Sequence, residues 1–144
     1  MKRLFTIGYE AATLDEVIGR LKTAGVEVVI DVRAIAASRR AGFSKTVLAA
    51  SLAAEEIDYV HLRALGTPKA GREAARKGRI AEMHAIFEGQ LAEPQAQIEL
   101  AKAGEIAAGR KAVLLCYEAD ACGCHRTVIA HRLGERAPFE IVDL

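Results

Sequence analysis

Tryptophan is absent from this chain, and aromatic residues make up only 5% of it. Ala, Leu, Ile and Val must therefore fill most of the interior, which favours layered helices and strands over a ligand barrel. Cysteine is scarce too. Cys116, Cys122 and Cys124 are the three present, all within nine residues. An odd number cannot all pair within one chain, and so short a span staples no long loop. A disulfide framework is not expected, and a reducing compartment is. No apolar run is long enough to span a membrane, and Glu10 cuts short the apolar stretch in MKRLFTIGYE. Neither a signal peptide nor a transmembrane segment is expected, nor a membrane partner, and the expected location is cytoplasmic. A large charge excess is also missing. Lys plus Arg is 20 and Asp plus Glu is 19, a formal net charge of +1, whereas a protein that coats nucleic acid usually carries more.

What is present suits a packed core. The apolar fraction is 51% over 144 residues. A domain of that size buries roughly two-thirds of the surface its unfolded chain exposes, without a staple. One domain over residues 1–144 is expected. Leu4–Tyr9 reads as a short buried strand ended by Gly8. Thr13 and Glu16 have the spacing of a capping box, Leu14, Val17, Ile18 and Leu21 keep helical spacing, and Gly25 stops the helix. Val26–Val32 is a nearly continuous β-branched run, as in a central parallel strand covered on both faces.

Ala34–Ser44 reads as a loop, with Ser44 as cap of a helix from Lys45 to Glu56. Asp58–Leu62 reads as a strand and Arg63–Gly71 as a loop. Arg72–Leu91 is helical with a break near Gly78, and Pro94 opens a helix to about Ala108. Ala112–Glu118 is the clearest strand, Ala119–Gly123 a turn, Cys124–Glu135 a helix and Phe139–Leu144 a last strand. The order β-α-β-α-β-α-α-β-α-β predicts a three-layer α/β/α fold, Rossmann-like, with a mainly parallel sheet of about five strands.

In open parallel sheets ligands bind beyond the carboxyl ends of the strands. On this chain that rim gathers Gly8 and Tyr9, Asp31 and Arg33, His61, and Cys116, Tyr117 and Glu118, followed by Cys124, His125 and Arg126 at a helix start. Asp31 and Arg33, two apart on a strand, share a face. They form either a structural ion pair or a site where Arg33 grips a carboxylate or phosphate. Cys116 ends an apolar run, so it is either a small buried hydrophobe or a thiolate stabilised by Arg126 and a helix N-terminus. Glu118 is a candidate general base or the partner of Arg126.

Residues 33–45 carry Arg33, Arg39, Arg40 and Lys45 with no acid, and 63–79 carry six cations against Glu73 alone. Either stretch could draw an anion, or 72–79 could be a solvated helical face. Cys122, Cys124 and His125 are spaced more tightly than a usual zinc site, with no second pair nearby in sequence. No metal ligand is assigned on that basis, and His61, His84 or His131 would have to be brought in.

Thr6-Ile7-Gly8-Tyr9, Asp31-Val32-Arg33, Ser38-Arg39, Phe43-Ser44-Lys45, Leu65-Gly66, Leu115-Cys116-Tyr117-Glu118 and Cys124-His125-Arg126 occur in order. Together they resemble the family catalogued as domain of unknown function 488. The ordered set covers nearly the whole chain, and the family name implies no activity or cofactor. Ala36 stands where that family usually has Pro, and Thr67 where it tends to have a second Gly. A weaker similarity links the Asp-x-Arg and the strand-end Cys to rhodanese-like domains.

Three functions follow as expectations. The first is an enzyme or binding domain for a phosphorylated or otherwise anionic ligand, with nucleotide or nucleic acid among the partners. Asp31, Cys116, Glu118 and His125 would be catalytic, and Gly8, Tyr9, Arg33, Ser38, Arg39, Lys45 and Arg126 would bind. The second is thiol chemistry at Cys116, of sulfurtransferase or redox type. The third is a non-catalytic nucleic-acid module. A homo-oligomer is compatible with each.

Overall fold

The computed structural model describes residues 2–119 and 124–144. Five strands, β1 (Lys2–Gly8), β2 (Val28–Asp31), β3 (Asp58–His61), β4 (Ala112–Cys116) and β5 (Phe139–Asp143), form one sheet in the order β3-β2-β4-β1-β5. Every pairing is parallel. The helices are α1 (Leu14–Ala24), α2 (Lys45–Ala53), α3 (Lys69–Arg76), α4 (Ile80–Leu91), α5 (Pro94–Gly109) and α6 (Arg126–Arg136). No helix among the described residues is long and apolar enough to cross a membrane.

Side chains alternate across the strands and so split the core in two. Phe5, Ile7, Val29, Val113 and Leu115 pack beneath Val17 and Leu21 of α1 and Leu48 and Leu52 of α2. Leu4, Val28, Ile30, Ala112 and Leu114 face the other way, toward α4, α5 and α6 through Phe87, Leu100 and Leu133. The predicted three-layer α/β/α architecture is therefore present, and its sheet is parallel throughout.

Local chemistry sets the element ends. Thr13 accepts from Glu16 N at 3.1 Å and Glu16 Oε1 accepts from Thr13 N at 3.2 Å, the reciprocal capping box. Gly25 closes α1 at φ 74°, and Gly78 separates α3 from α4 at φ 77°. Ser44 departs from its predicted role. It makes no cap bond, because its hydroxyl accepts from Ser38 N at 3.0 Å and donates to Ser38 O, closing the 38–44 loop instead. Helix α2 stops at Ala53, three residues short of Glu56, which turns the chain at φ 60°. Strand β4 stops at Cys116, so Tyr117 and Glu118 leave the ladder, and a single 3-10 turn at Arg63–Leu65 lies in the predicted loop. The predicted Ala119–Gly123 turn falls largely outside the described residues, as does Cys122.

Connectivity creates a crevice. From β1 the chain crosses over β4 to reach β2, whereas from β4 it crosses over β1 to reach β5. The two strands are neighbours, with Gly8 opposite Cys116. Their connections depart in opposite directions and leave a gap above their carboxyl ends.

Candidate functional site

Glycine is needed at the floor of that gap. A Cβ on Gly8 would overlap the carbonyl of Glu118, so the loop after β4 lies directly on the end of β1. Gly66 does the same for a second loop, since a Cβ there would overlap the backbone of Ala34.

At the end of β2, Asp31 and Arg33 form a buried ion pair. Arg33 Nε donates to Asp31 Oδ1 at 2.9 Å and Nη2 to Oδ2 at 2.6 Å. Nη1 donates to Tyr9 Oη at 2.9 Å and to the Phe43 carbonyl at 2.7 Å. Tyr59 Oη donates to Asp31 Oδ2 at 2.5 Å, and His61 Nε2 donates to the Arg33 carbonyl at 2.7 Å. Burial alone would lower the Arg33 pKa, but the Asp31 carboxylate overrides it and holds the guanidinium charged. Burial, aided by the neighbouring carboxylate, raises the Tyr59 hydroxyl and keeps it a donor. Asp31 and Arg33 thus form the ion pair of the first reading, which ties β2 to β1, β3 and the loop after it. The Tyr9 ring stacks on Phe43 with centroids 4.3 Å apart, which pins that loop.

At the end of β4 the side chains are of another kind. The Sγ atoms of Cys116 and Cys124 are in disulfide contact across a sequence separation of 8. Their Cα atoms are 7.5 Å apart, beyond the usual disulfide span of about 4.4–6.8 Å. Such a pairing was not expected from an odd cysteine count, and the contact depends on the chain returning to β4 at the head of α6. Arg126, itself buried, donates from Nη1 to Cys116 Sγ at 2.9 Å. Its guanidinium also binds the carbonyls of Glu118 and Ala119, so it holds Glu118 through the backbone. A guanidinium beside a sulfur favours the thiolate.

His125 Nε2 lies 2.7 Å from the Val32 carbonyl. A carbonyl only accepts, so Nε2 carries the proton. Burial pushes the imidazole pKa down to about 4, so the ring is neutral near pH 7 and Nδ1 bears a lone pair. That atom is 3.7 Å from Cys124 Sγ. Phe87 meets the His125 ring edge-on at 5.0 Å and fixes its plane. Glu118 is half-buried, and desolvation chiefly, with Glu10 adding to it, raises its pKa.

Above these groups lies a cavity of about 810 Å³. Cys116, Glu118 and His125 lie in its wall with Tyr9, Arg33, Ser38, Arg39, Thr67, Arg72 and Arg76. Most of the residues singled out in the sequence thus share one wall. Lys45 does not. Its side chain is exposed, and its amide donates to the Ala36 carbonyl at 2.7 Å. Gly8 serves beneath the site by close packing. Arg72 and Arg76 enter the sequence reading only as members of the basic stretch 63–79; they are four apart on α3, one face of one helix, and that spacing is the signal that sets them apart. Cys124 belongs to the predicted rim with His125 and Arg126, but its contact with Cys116 is not part of that expectation. Arg40 binds the Ala12 carbonyl away from this cavity.

The fold and its crevice define a class: a three-layer α/β domain with an all-parallel sheet and a polar cavity at its carboxyl edge. Within that class the chain belongs to the family described as Domain of unknown function DUF488, whose model matches residues 13–133. The match takes in β2 to β4, most of α6 and the Cys-His-Arg triplet, and leaves out β1 and β5. No curated protein and no solved structure matches the chain.

Proposed function

We propose that this protein binds and acts on a small anionic ligand, such as a nucleotide or sugar phosphate, in the cavity above β1 and β4. Arg39, Arg72 and Arg76 meet its charge, and Cys116, Glu118 and His125 face its reacting end. The observation that supports this is the convergence of three guanidinium groups, one from the loop after β2 and two from α3, on a cavity with a cysteine in its wall. Arg33, already committed to Asp31, Tyr9 and Phe43, is a positioning residue. Glu118, its pKa raised chiefly by burial, is placed in the cavity wall to pass a proton.

A thermal-shift screen against inorganic phosphate, nucleotides, sugar phosphates and dicarboxylates tests the reading. A ligand at about 100 times its Kd adds roughly 2.7 kcal/mol to stability. Such a rise should vanish in the doubly substituted Arg72→Ala, Arg76→Ala chain. Silence toward every anion would end the proposal.

A second reading, sulfur transfer or thiol exchange at Cys116, is favoured by the Arg126 contact at 2.9 Å. Its test is the alkylation rate of Cys116 at pH 7 after reduction, which should exceed that of an ordinary thiol. A nucleic-acid module has less support, because the cations gather round a concavity and the net charge is only +1. Salt-dependent oligonucleotide binding through residues 63–79 would favour it.

A further inference from the structure

We propose that Cys116, Cys124 and His125 form a binding site for a single thiophilic metal ion of the zinc class, with one coordination position open to the cavity. Sulfur and imidazole nitrogen donors from these three residues all lie within 4.8 Å of one another, and all three residues are buried. Two thiolates and an imidazole are the donor types that zinc prefers, and three protein ligands with an open fourth position is the arrangement of its catalytic sites.

The backbones of the two cysteines stand wider apart than a disulfide usually holds them. Sulfurs sharing one zinc at about 2.3 Å, in tetrahedral geometry, stand roughly 3.8 Å apart. The two sulfurs are in contact here, so the ion is taken up by the reduced chain, in which they part around it across a Cα separation of 7.5 Å.

The surroundings are those of a metal centre. His125 donates its Nε2 proton to the Val32 carbonyl at 2.7 Å, so the Nδ1 lone pair is turned toward Cys124 Sγ, 3.7 Å away. Metal-bound histidines are held in this way by the nitrogen that does not bind the ion. Arg126 donates to Cys116 Sγ from its guanidinium at 2.9 Å and to Cys124 Sγ from its amide at 3.5 Å. These bonds moderate two thiolate charges held close together. Cys116 stands at the end of β4 and the other two ligands at the head of α6, so two packed elements fix the donors before any ion arrives. On binding, each thiol loses its proton to solvent, two sulfur–metal bonds form, and two protons are released per ion. Cys116 and His125 also line the cavity. The open position would therefore hold a water or an anionic group, and in that respect the inference deepens the reading above.

The test uses the full chain, reduced and then equilibrated with zinc alone or cobalt(II) alone. One ion per chain is expected to survive gel filtration. The cobalt form should show visible ligand-field bands and a near-ultraviolet thiolate-to-cobalt band. Cys124→Ser and His125→Ala should each weaken zinc binding on the order of 100-fold, with circular dichroism reporting whether they fold. The unsubstituted chain gives an independent measure: stoichiometric zinc should slow alkylation of Cys116 and Cys124 together. No stoichiometric uptake, uptake indifferent to both substitutions, or alkylation untouched by zinc would each overturn the site. Anion binding is measured separately by thermal shift with inorganic phosphate, so loss of the metal site and loss of the anion reading are distinguishable.

Discussion

The ends of β2 and β4 are adjacent in the sheet, both deeply buried and both polar, yet they are organised in opposite ways. At β2 every strong group is consumed locally. Asp31 holds Arg33 and Tyr59, and Arg33 holds Tyr9 and Phe43. At β4 two sulfurs and an imidazole lone pair are directed at one another beside a cavity. Burial and charge alone therefore do not distinguish a site from a strut. What differs at β4 is that sulfur and imidazole donors gather beside open space.

The largest effect that sharpens this contrast belongs to the strut. Asp31→Ala leaves the Arg33 guanidinium buried without its carboxylate. It should cost about 3–5 kcal/mol in urea unfolding. A combined Asp31→Leu, Arg33→Met chain should recover much of that loss, since removing both charges removes the orphan. If Asp31→Ala proved neutral in stability but abolished phosphate binding, the assignment of roles would be reversed.

Next is Gly8→Ala, whose added methyl strikes the Glu118 carbonyl. Displacing that loop should cost about 1–3 kcal/mol and change the alkylation of Cys116, because Arg126 binds both the Glu118 carbonyl and the Cys116 sulfur. Thr13→Ala removes a cap far from either strand end and should cost about 1 kcal/mol without altering alkylation. Its partner Glu16 has a pKa held below the ordinary carboxylate value, first by the hydrogen bond from the Thr13 amide. Its support for folding is thus complete above that ordinary value and fades as pH falls through the lowered one. Urea titrations between pH 6 and pH 3, roughly the range around an ordinary carboxyl pKa, should show the Thr13→Ala difference shrinking. Smallest of all is Lys45→Ala, which should leave both stability and phosphate binding within about 0.5 kcal/mol of the parent.

The sheet was legible in the sequence because most strands carry a short apolar run and two of the breaks between elements fall at Gly25 and Gly78. The gathering at the rim was legible for the same reason: strand ends in a parallel sheet lie on one edge. Three things were not. The pairing of Cys116 with Cys124 depends on the route of the chain between them, and no periodicity records a route. Arg72 and Arg76 look like any solvated helical face until a cavity is seen beside α3. Lys45 stands in a basic cluster, but the turn closed by Ser38 and Ser44 directs the chain so that this side chain faces water.

The opposed departures from β1 and β4 have an evolutionary consequence. The crevice exists because of the order in which the strands are threaded, so point changes in its walls do not close it. Of the segments that border it, 34–39 and 117–118 put no side chain into either apolar layer, and 67–80 puts in Ala74 with Ala75 and Ile80 beside it. Relatives can therefore exchange wall residues and acquire new ligands on an unchanged chassis, provided Gly8 stays small.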